Sequence, residues 1–536
     1  MTPDDALTVD APIAVARREN TGWRRFVVLV ALSALAMFVF CLLDQDMFAD
    51  GDTNWHVATG RWILSHGFVP LTDPFSFSAY HHRWVAHEWL SEVLMALAWR
   101  AAGWSGVMAL TAAAGALAVG LLAAELAKRL GTLSVLAGVA LIFGLLHAHI
   151  LARPHMIALP VLIVWVAALL KARREGRSPP LWLLPVATLW ANLHGSIIFG
   201  LAFTGPFALE AFLEARREAI ARLPAPVRAA GSDWRGRARA LIGREWRATF
   251  AVGPWIVALK WGAFLIAAAA FALINPNGVD GLLYGFYVTS MPHLRSINEW
   301  KSFNFDSLSP FEFALIFTLF VCLYRGLRMG AVRLGLLLLT LYMTLSHLRQ
   351  ELVIAVMAPL LLADPMRRAL EPTWPERPSP VAWPPLRQLA VAVAVLAVLF
   401  AIPAAWRVIN PEVRGNGGVV PLTALSRVPP ALRARPVFND YSFGGWLVYQ
   451  GVRPFMDGRS DMYGDTLLKV YLDVAGGDPA SIDKTFKRYD IQWTIMTPGS
   501  GLAKALDKRP GWRRLYADKW AVVHVRQDAV PAPPGR

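Results

Sequence analysis

Long apolar runs separated by short polar segments fill residues 25 to 405, and the pattern then gives way to short apolar stretches. A run of about 20 apolar residues crosses a bilayer as a helix, and shorter runs can do so when neighbours shield them. Spans are therefore predicted at 25–43, 104–127, 132–150, 156–170, 180–192, 196–213, 251–274, 311–324, 331–346, 352–363 and 389–405. The first two are separated by a long polar interval, 44–103. Its last part, 89–99, mixes two tryptophans, aliphatic residues and acidic positions, which suits a helix lying in the interface rather than crossing it. After residue 405, apolar segments at 436–438, 454–456, 493–496 and 520–525 alternate with helical stretches near 467–474, 481–489 and 501–508, the pattern of a small α/β domain. The segments 439–446 and 456–463 are dense in glycine, aromatics and charge; they read first as turns, and second as a surface for sugars. No internal repeat is evident.

The expected organisation is a cytoplasmic tail (1–24), a transmembrane domain (25–405, with 44–103 as its first outer loop), an extracytoplasmic α/β domain (406–528) and a disordered tail (529–536). This is a polytopic α-helical membrane protein of about 11 spans, N-terminus inside and C-terminus outside. Lys128 and Arg129, the run 171–174, the loop 216–247, Arg325 with Arg328, and Arg367 with Arg368 all fall on the N-terminal side, which marks it as cytoplasmic. Lys260 breaks the rule unless 251–260 lies along the interface ahead of the true span. Composition agrees, with 55% hydrophobic and 17% charged residues and a mean hydropathy of +0.41. The net charge of +15 sits between apolar runs rather than along one stripe, so it speaks for topology and against nucleic acid. Cys41 and Cys322 lie in apolar runs, which leaves no disulfide framework or cysteine metal motif.

The outer side collects the residues that look chemical. Asp50 and Asp52, two apart, present both carboxylates one way if the loop is extended, and such a pair can hold a divalent cation or supply a general base. Close behind come His56 and Asp73; later outer segments add Arg153 and His155, His194, Glu299, His347 and Arg349. A guanidinium at a span end can grip phosphate with two N–H groups, or snorkel to lipid headgroups. The histidines never take a HExxH spacing, so zinc is unsupported; together they can hydrogen-bond a phosphate or sugar hydroxyls.

The pattern Asp50-x-Asp52-x-x-Trp55-His56, then Pro70-Leu71-Thr72-Asp73-Pro74-Phe75-Ser76 and His87-Glu88-Trp89-Leu90, together with the span pattern and the outward C-terminal domain, resembles the GT-C class of integral-membrane glycosyltransferases, particularly bacterial members. The resemblance implies a polyprenyl-phosphate-linked sugar donor, a glycan, lipid or protein acceptor, membrane lipids as surroundings, and a bacterial inner membrane with the active face outside. It maps the role of catalytic base or metal-binding group onto Asp52, with Asp50 second, and leaves open whether a divalent cation is used. The alternatives are a polysaccharide polymerase or ligase fed by lipid-linked oligosaccharide, and a non-catalytic envelope transport or assembly protein.

Overall fold

The computed structural model describes residues 11–147, 149–223, 234–306, 308–370 and 385–529. Of the expected disordered tail, 529–536, Ala529 closes a short helical turn and residues 530–536 lie outside those described. The membrane region comprises α1 (Ala11–Leu43), α2 (Asp52–His66), α3 (Trp89–Ala127), α4 (Thr132–His147), α5 (Pro154–Arg174), α6 (Leu183–Leu193), α7 (Ile197–Arg222), α8 (Trp234–Thr249), α9 (Val252–Ala272), α10 (Gly278–Thr289), α11 (Pro310–Arg325), α12 (Ala331–Ser346), α13 (Glu351–Leu370) and α14 (Leu386–Ile409). Every expected span falls on a helix. Six are long and apolar enough to cross a membrane by length and composition: Gly22–Leu43, Trp89–Ala127, Pro154–Arg174, Ile197–Arg222, Val252–Ala272 and Leu386–Ile409. The chain is a multi-pass membrane protein, and α4, α6 and α12 are shorter apolar helices beside these six.

Small residues let α1 and α3 close on each other: a side chain on Gly115 would touch Met37 and Cys41, and one on Gly120 would touch Ala34. The interior then fills with Val107, Leu122, Trp165 and Trp190, with the Trp165 indole N–H donating to the Gly200 carbonyl at 2.9 Å. Large apolar residues such as Leu117, Ile266, Leu323 and Val395 point outward, as lipid contact requires.

In the membrane region one expected boundary is present and one expectation changes. The segment 89–99, expected to lie in the interface, is the first arm of α3, which breaks at Ala102 and at Gly103, whose φ of +58° suits a residue without Cβ. The break falls where the sequence separated 89–99 from the span at 104. By contrast, α9 runs unbroken from Val252, so 251–260 is not a separate interfacial piece; Lys260 sits exposed on its side, its aliphatic stem able to carry the charge to a polar boundary.

The C-terminal region holds α15 (Leu422–Ser426), α16 (Pro430–Arg433), β1 (Val437–Asn439), α17 (Tyr441–Tyr449), α18 (Ser460–Ala475), α19 (Pro479–Tyr489), β2 (Trp493–Met496), α20 (Gly501–Leu506), β3 (Trp512–Ala517) and β4 (Val522–Arg526). The sheet order is β1-β2-β4-β3, with β1 parallel to β2 and the other pairs antiparallel. Residues 454–456 are not a strand. The Asn439 side chain does the pairing there, accepting from the Phe455 amide at 2.8 Å and donating to the Met456 carbonyl at 2.7 Å. Strand β3 was not expected, because its exposed edge carries Arg513 and Arg514. Gly444 and Gly445 form no turn; they lie inside α17, where a side chain on Gly445 would sit 2.2 Å from the Gly51 carbonyl and one on Gly444 2.3 Å from that of Met456. One apolar core joins this domain to the segment 44–103 and to the turn after α10, packing Trp55, Trp84 and Met291 with Phe438, Phe455 and Tyr471.

Candidate active site

Arg153 precedes Pro154, so its backbone is extended (φ −132°, ψ 159°) and its side chain leaves the start of α5 sideways. It meets three carboxylates. Nε lies 2.8 Å from Asp50 Oδ2, in ion-pair range but without hydrogen-bond alignment, while Nη2 pairs with Asp52 and Nη1 with Glu299. The acidic pair is not extended: Gly51 is helical (φ −66°, ψ −28°) and Asp52 opens α2. The carboxylates converge because the turn folds back, the Asp52 amide donating to Asp50 Oδ1 at 3.1 Å. The C-terminal domain closes on this turn, for a side chain on Gly458 would lie 1.7 Å from Asp52 Oδ1 and one on Gly51 2.3 Å from the Ser442 carbonyl.

Burial pushes the Asp50 carboxyl up to about 6, with Arg153 pulling against it. Glu299 goes the other way: burial would raise it, but Arg153 and Arg349 outweigh that and hold it near 2. Arg153 is raised above its usual value, Asp50 and Glu299 overriding the cost of burial.

Arg349 belongs to a short turn ahead of α13 and stacks on Trp300, its guanidinium carbon 4.5 Å from the ring centre. His347 stands edge-on to the same ring at 5.9 Å. His155 reaches the His149 carbonyl at 3.3 Å.

A second polar wall is built around Glu88. His56, one turn after Asp52 on α2, has Nδ1 3.2 Å from Glu92 Oε1 and Nε2 3.8 Å from Glu88 Oε2. The Ser196 amide donates to His194 Nδ1 at 3.0 Å, which places the ring proton on Nε2, 3.0 Å from Glu88 Oε1. His87 Nε2 lies 3.5 Å from the same oxygen, and its ring stacks on Tyr284 at 3.6 Å. Burial lowers His56 to about 4, with Glu88 opposing. Burial would raise Glu88, yet His87 and His194 hold it well below the usual carboxylate range. Asp461 is raised by burial.

All of these groups, including Asp50, Asp52, His56, Arg153, His155, His194, Glu299, His347 and Arg349, line one cavity of ≈ 1100 Å³. Below them it continues between apolar side chains of α5, α7 and α12, among them Leu159, Leu162, Phe203 and Leu339. Asp73 is placed elsewhere. It is fully buried, caps the turn at Phe75 and Ser76 and holds Arg459 Nη1 at 2.7 Å, while Asp457 takes the other side of that guanidinium.

Sequence reasoning missed Glu92 and Tyr284, named Glu88 and His87 only as outer polar residues, and reached Tyr441, Arg459 and Asp461 only within the segments 439–446 and 456–463, read first as turns and second as a surface for sugars. Glu92 had a signal: an acid four residues after Glu88 and on the same face of an apolar helix. For Tyr441, Arg459 and Asp461 the local composition was a signal, but their place beside Asp52 rests on contacts with residues hundreds of positions away in sequence.

No family model matches the chain, and no curated protein matches it in sequence. In structure it is similar to an oligosaccharyltransferase of Archaeoglobus fulgidus in its apo form, with a TM-score of 0.50 and 12% identity over 88% of this chain and 69% of that one. It is also similar to the archaeal oligosaccharyltransferase AglB of the same organism, in complex with an inhibitory peptide and a dolichol-phosphate, with a TM-score of 0.51 and 11% identity over 94% and 74%. ArnT of Cupriavidus metallidurans aligns over 96% and 100% at 14% identity, with a TM-score of 0.34. At such identities the likeness to the oligosaccharyltransferases is one of fold, and that fold is the GT-C architecture expected from the first-loop motifs.

Proposed function

We propose that this chain is a membrane glycosyltransferase that moves a sugar from a polyprenyl-phosphate carrier to an acceptor on the outer face of a bacterial inner membrane. One observation carries the reading: a carboxylate cluster at Asp50, Asp52 and Glu299 shares a single cavity with Arg349 and with an apolar groove between α5, α7 and α12. The polyprenyl tail lies in the groove and its phosphate meets Arg349. Arg153, whose three nitrogens face carboxylates, fixes the acidic turn rather than gripping phosphate alone. Asp52 takes the proton of the acceptor hydroxyl as that oxygen attacks the anomeric carbon, and the bond from that carbon to the phosphate oxygen breaks with its electron pair. The product phosphate is a stable anion, so charge stabilisation matters more than protonation. A single displacement inverts the anomeric centre.

A divalent cation fits the residues present. Asp50, Asp52 and Glu299 offer oxygens within 4.8 Å of one another, and three carboxylates around one guanidinium leave surplus negative charge for a hard cation. Bound there, it would supply positive charge to the phosphate.

The test uses purified full-length protein, a radiolabelled polyprenyl-phosphate sugar and membrane extract as acceptor. Label is transferred by the parent chain and not by Asp52→Asn or Arg349→Ala at equal expression; undiminished transfer by both variants rejects the reading.

A further inference from the structure

We infer that the wall around Glu88 is a binding subsite for the hydroxyl groups of a carbohydrate acceptor; this rests on the reading above and names its acceptor class. The wall has a group built to receive a ligand. Glu92 is 1% exposed, lines the cavity, and uses Oε1 on His56 while Oε2 has no partner. A buried carboxylate oxygen left without a donor carries a substantial desolvation cost, which a hydroxyl from a ligand removes.

The surrounding chemistry selects that ligand. Glu92 Oε2 is the open acceptor, while His87 and His194 face Glu88 Oε1 and the Tyr284 hydroxyl bonds Asp461, which holds those two carboxylates in place with lone pairs to spare. A sugar presents several hydroxyl donors at short spacing, which suits a wall of closely set carboxylate acceptors. A lipid acceptor would want apolar lining instead, and that lies in the groove of α5, α7 and α12. Arg459 is the nearby guanidinium, but Asp457 and Asp73 occupy it, so the wall offers no free fork for an anionic acceptor.

Position assigns the subsite to the acceptor. His56 follows Asp52 by one turn of α2, about 6 Å along the same face. Asp461 follows Gly458, which abuts the Asp52 carboxylate, by three residues. A hydroxyl held at this wall therefore lies on the same side of the cavity as the proposed base, and the wall is built from residues 56–92 and the C-terminal domain, completed by His194 and Tyr284, rather than from the apolar groove.

The full chain in detergent is titrated with a panel of free hexoses, N-acetylhexosamines and 6-deoxyhexoses, and separately with sugar-free polyprenyl phosphate. At least one sugar should bind, and Glu92→Gln and Tyr284→Phe should each weaken it by about tenfold or more while leaving polyprenyl-phosphate binding unchanged. Arg349→Ala should do the reverse. Sugar binding should persist under a saturating non-cleavable polyprenyl-phosphonate sugar. The subsite is overturned if no panel sugar binds while polyprenyl phosphate does, if both variants bind sugar like the parent, or if the phosphonate displaces it. Failure of the parent chain to bind polyprenyl phosphate overturns the donor reading instead.

Discussion

Asp52 and His56 share one face of α2 and are set for different work by what surrounds them. Asp52 faces a guanidinium; His56 is sealed between two glutamates and the Trp55 ring. Replacing Asp52 by Asn keeps its size and removes the base, so transfer should fall about 100-fold or more, as loss of a general base does. Asp50 must be ionised to help hold Arg153 or a cation, and burial puts it near 6; the acid limb of kcat/KM should therefore fall near pH 6, whereas a limb near 4 would remove Asp50 from the cluster's working state. His56 titrates near 4 in the fold against 6.5 when free. The unfolded chain takes that proton first as pH falls, so stability is lost from pH 6.5 down to 4, by about 3 kcal/mol at most. Asp50, raised rather than lowered, works in the opposite sense over part of that window. Comparing His56→Gln with the parent cancels it, and the variant's melting temperature should fall less between pH 7 and 4.5; parallel curves would contradict the burial of a neutral imidazole. At this scale the sequence pointed to ten candidate side chains because charge beside apolar spans is costly unless used, and nine of them line one cavity. Asp73 lies apart from them, since a carboxylate that caps a turn looks, in sequence, like one that faces a cavity.

Elements meet through glycine. Gly51 in the acidic turn, Gly445 in α17 and Gly458 ahead of α18 allow two backbones and a carboxylate to approach where no Cβ has room. Gly458→Ala would put a methyl 1.7 Å from Asp52 Oδ1, so Asp52 must move. That variant should lose activity nearly as far as Asp52→Asn and lose about 1–3 kcal/mol of stability, whereas Gly499→Ala, with nothing within 4 Å, should match the parent on both counts. Full activity in Gly458→Ala would show that the two elements do not meet as described. The helices were legible because an apolar run of span length has few alternatives in lipid, and the break at Gly103 fell at the expected boundary. Helix α2 was not, since its polar first turn looked like loop; nor was α17, whose glycine pair signals a turn locally and serves packing only in the tertiary structure.

At the scale of the molecule, the charge divides. The chain is +15, yet six of the acids line the cavity, Asp50, Asp52, Glu88, Glu92, Glu299 and Asp461, against the guanidiniums of Arg153, Arg349 and Arg459. Such a cavity opposes an anionic donor unless a cation accompanies it, so chelation of divalent metal should weaken polyprenyl-phosphate binding, and Mg²⁺ or Mn²⁺ should restore it. The C-terminal region contributes Tyr441, Gly458 and Asp461 to the cavity, and its core is completed by Trp55 and Trp84 from the first outer loop. Severed at residue 410, the C-terminal piece would expose the surfaces that Phe438, Phe455 and Tyr471 bury against that loop, and the remaining membrane part would lose the wall next to Asp52. Apolar faces of this kind, once uncovered, associate. The piece 411–529 expressed alone should bind a hydrophobic dye and lack a cooperative melting transition, and the membrane part alone should transfer no sugar. A sharply melting, monomeric 411–529 would show instead that the domain stands by itself and that its contribution to the cavity is a docking rather than a shared fold.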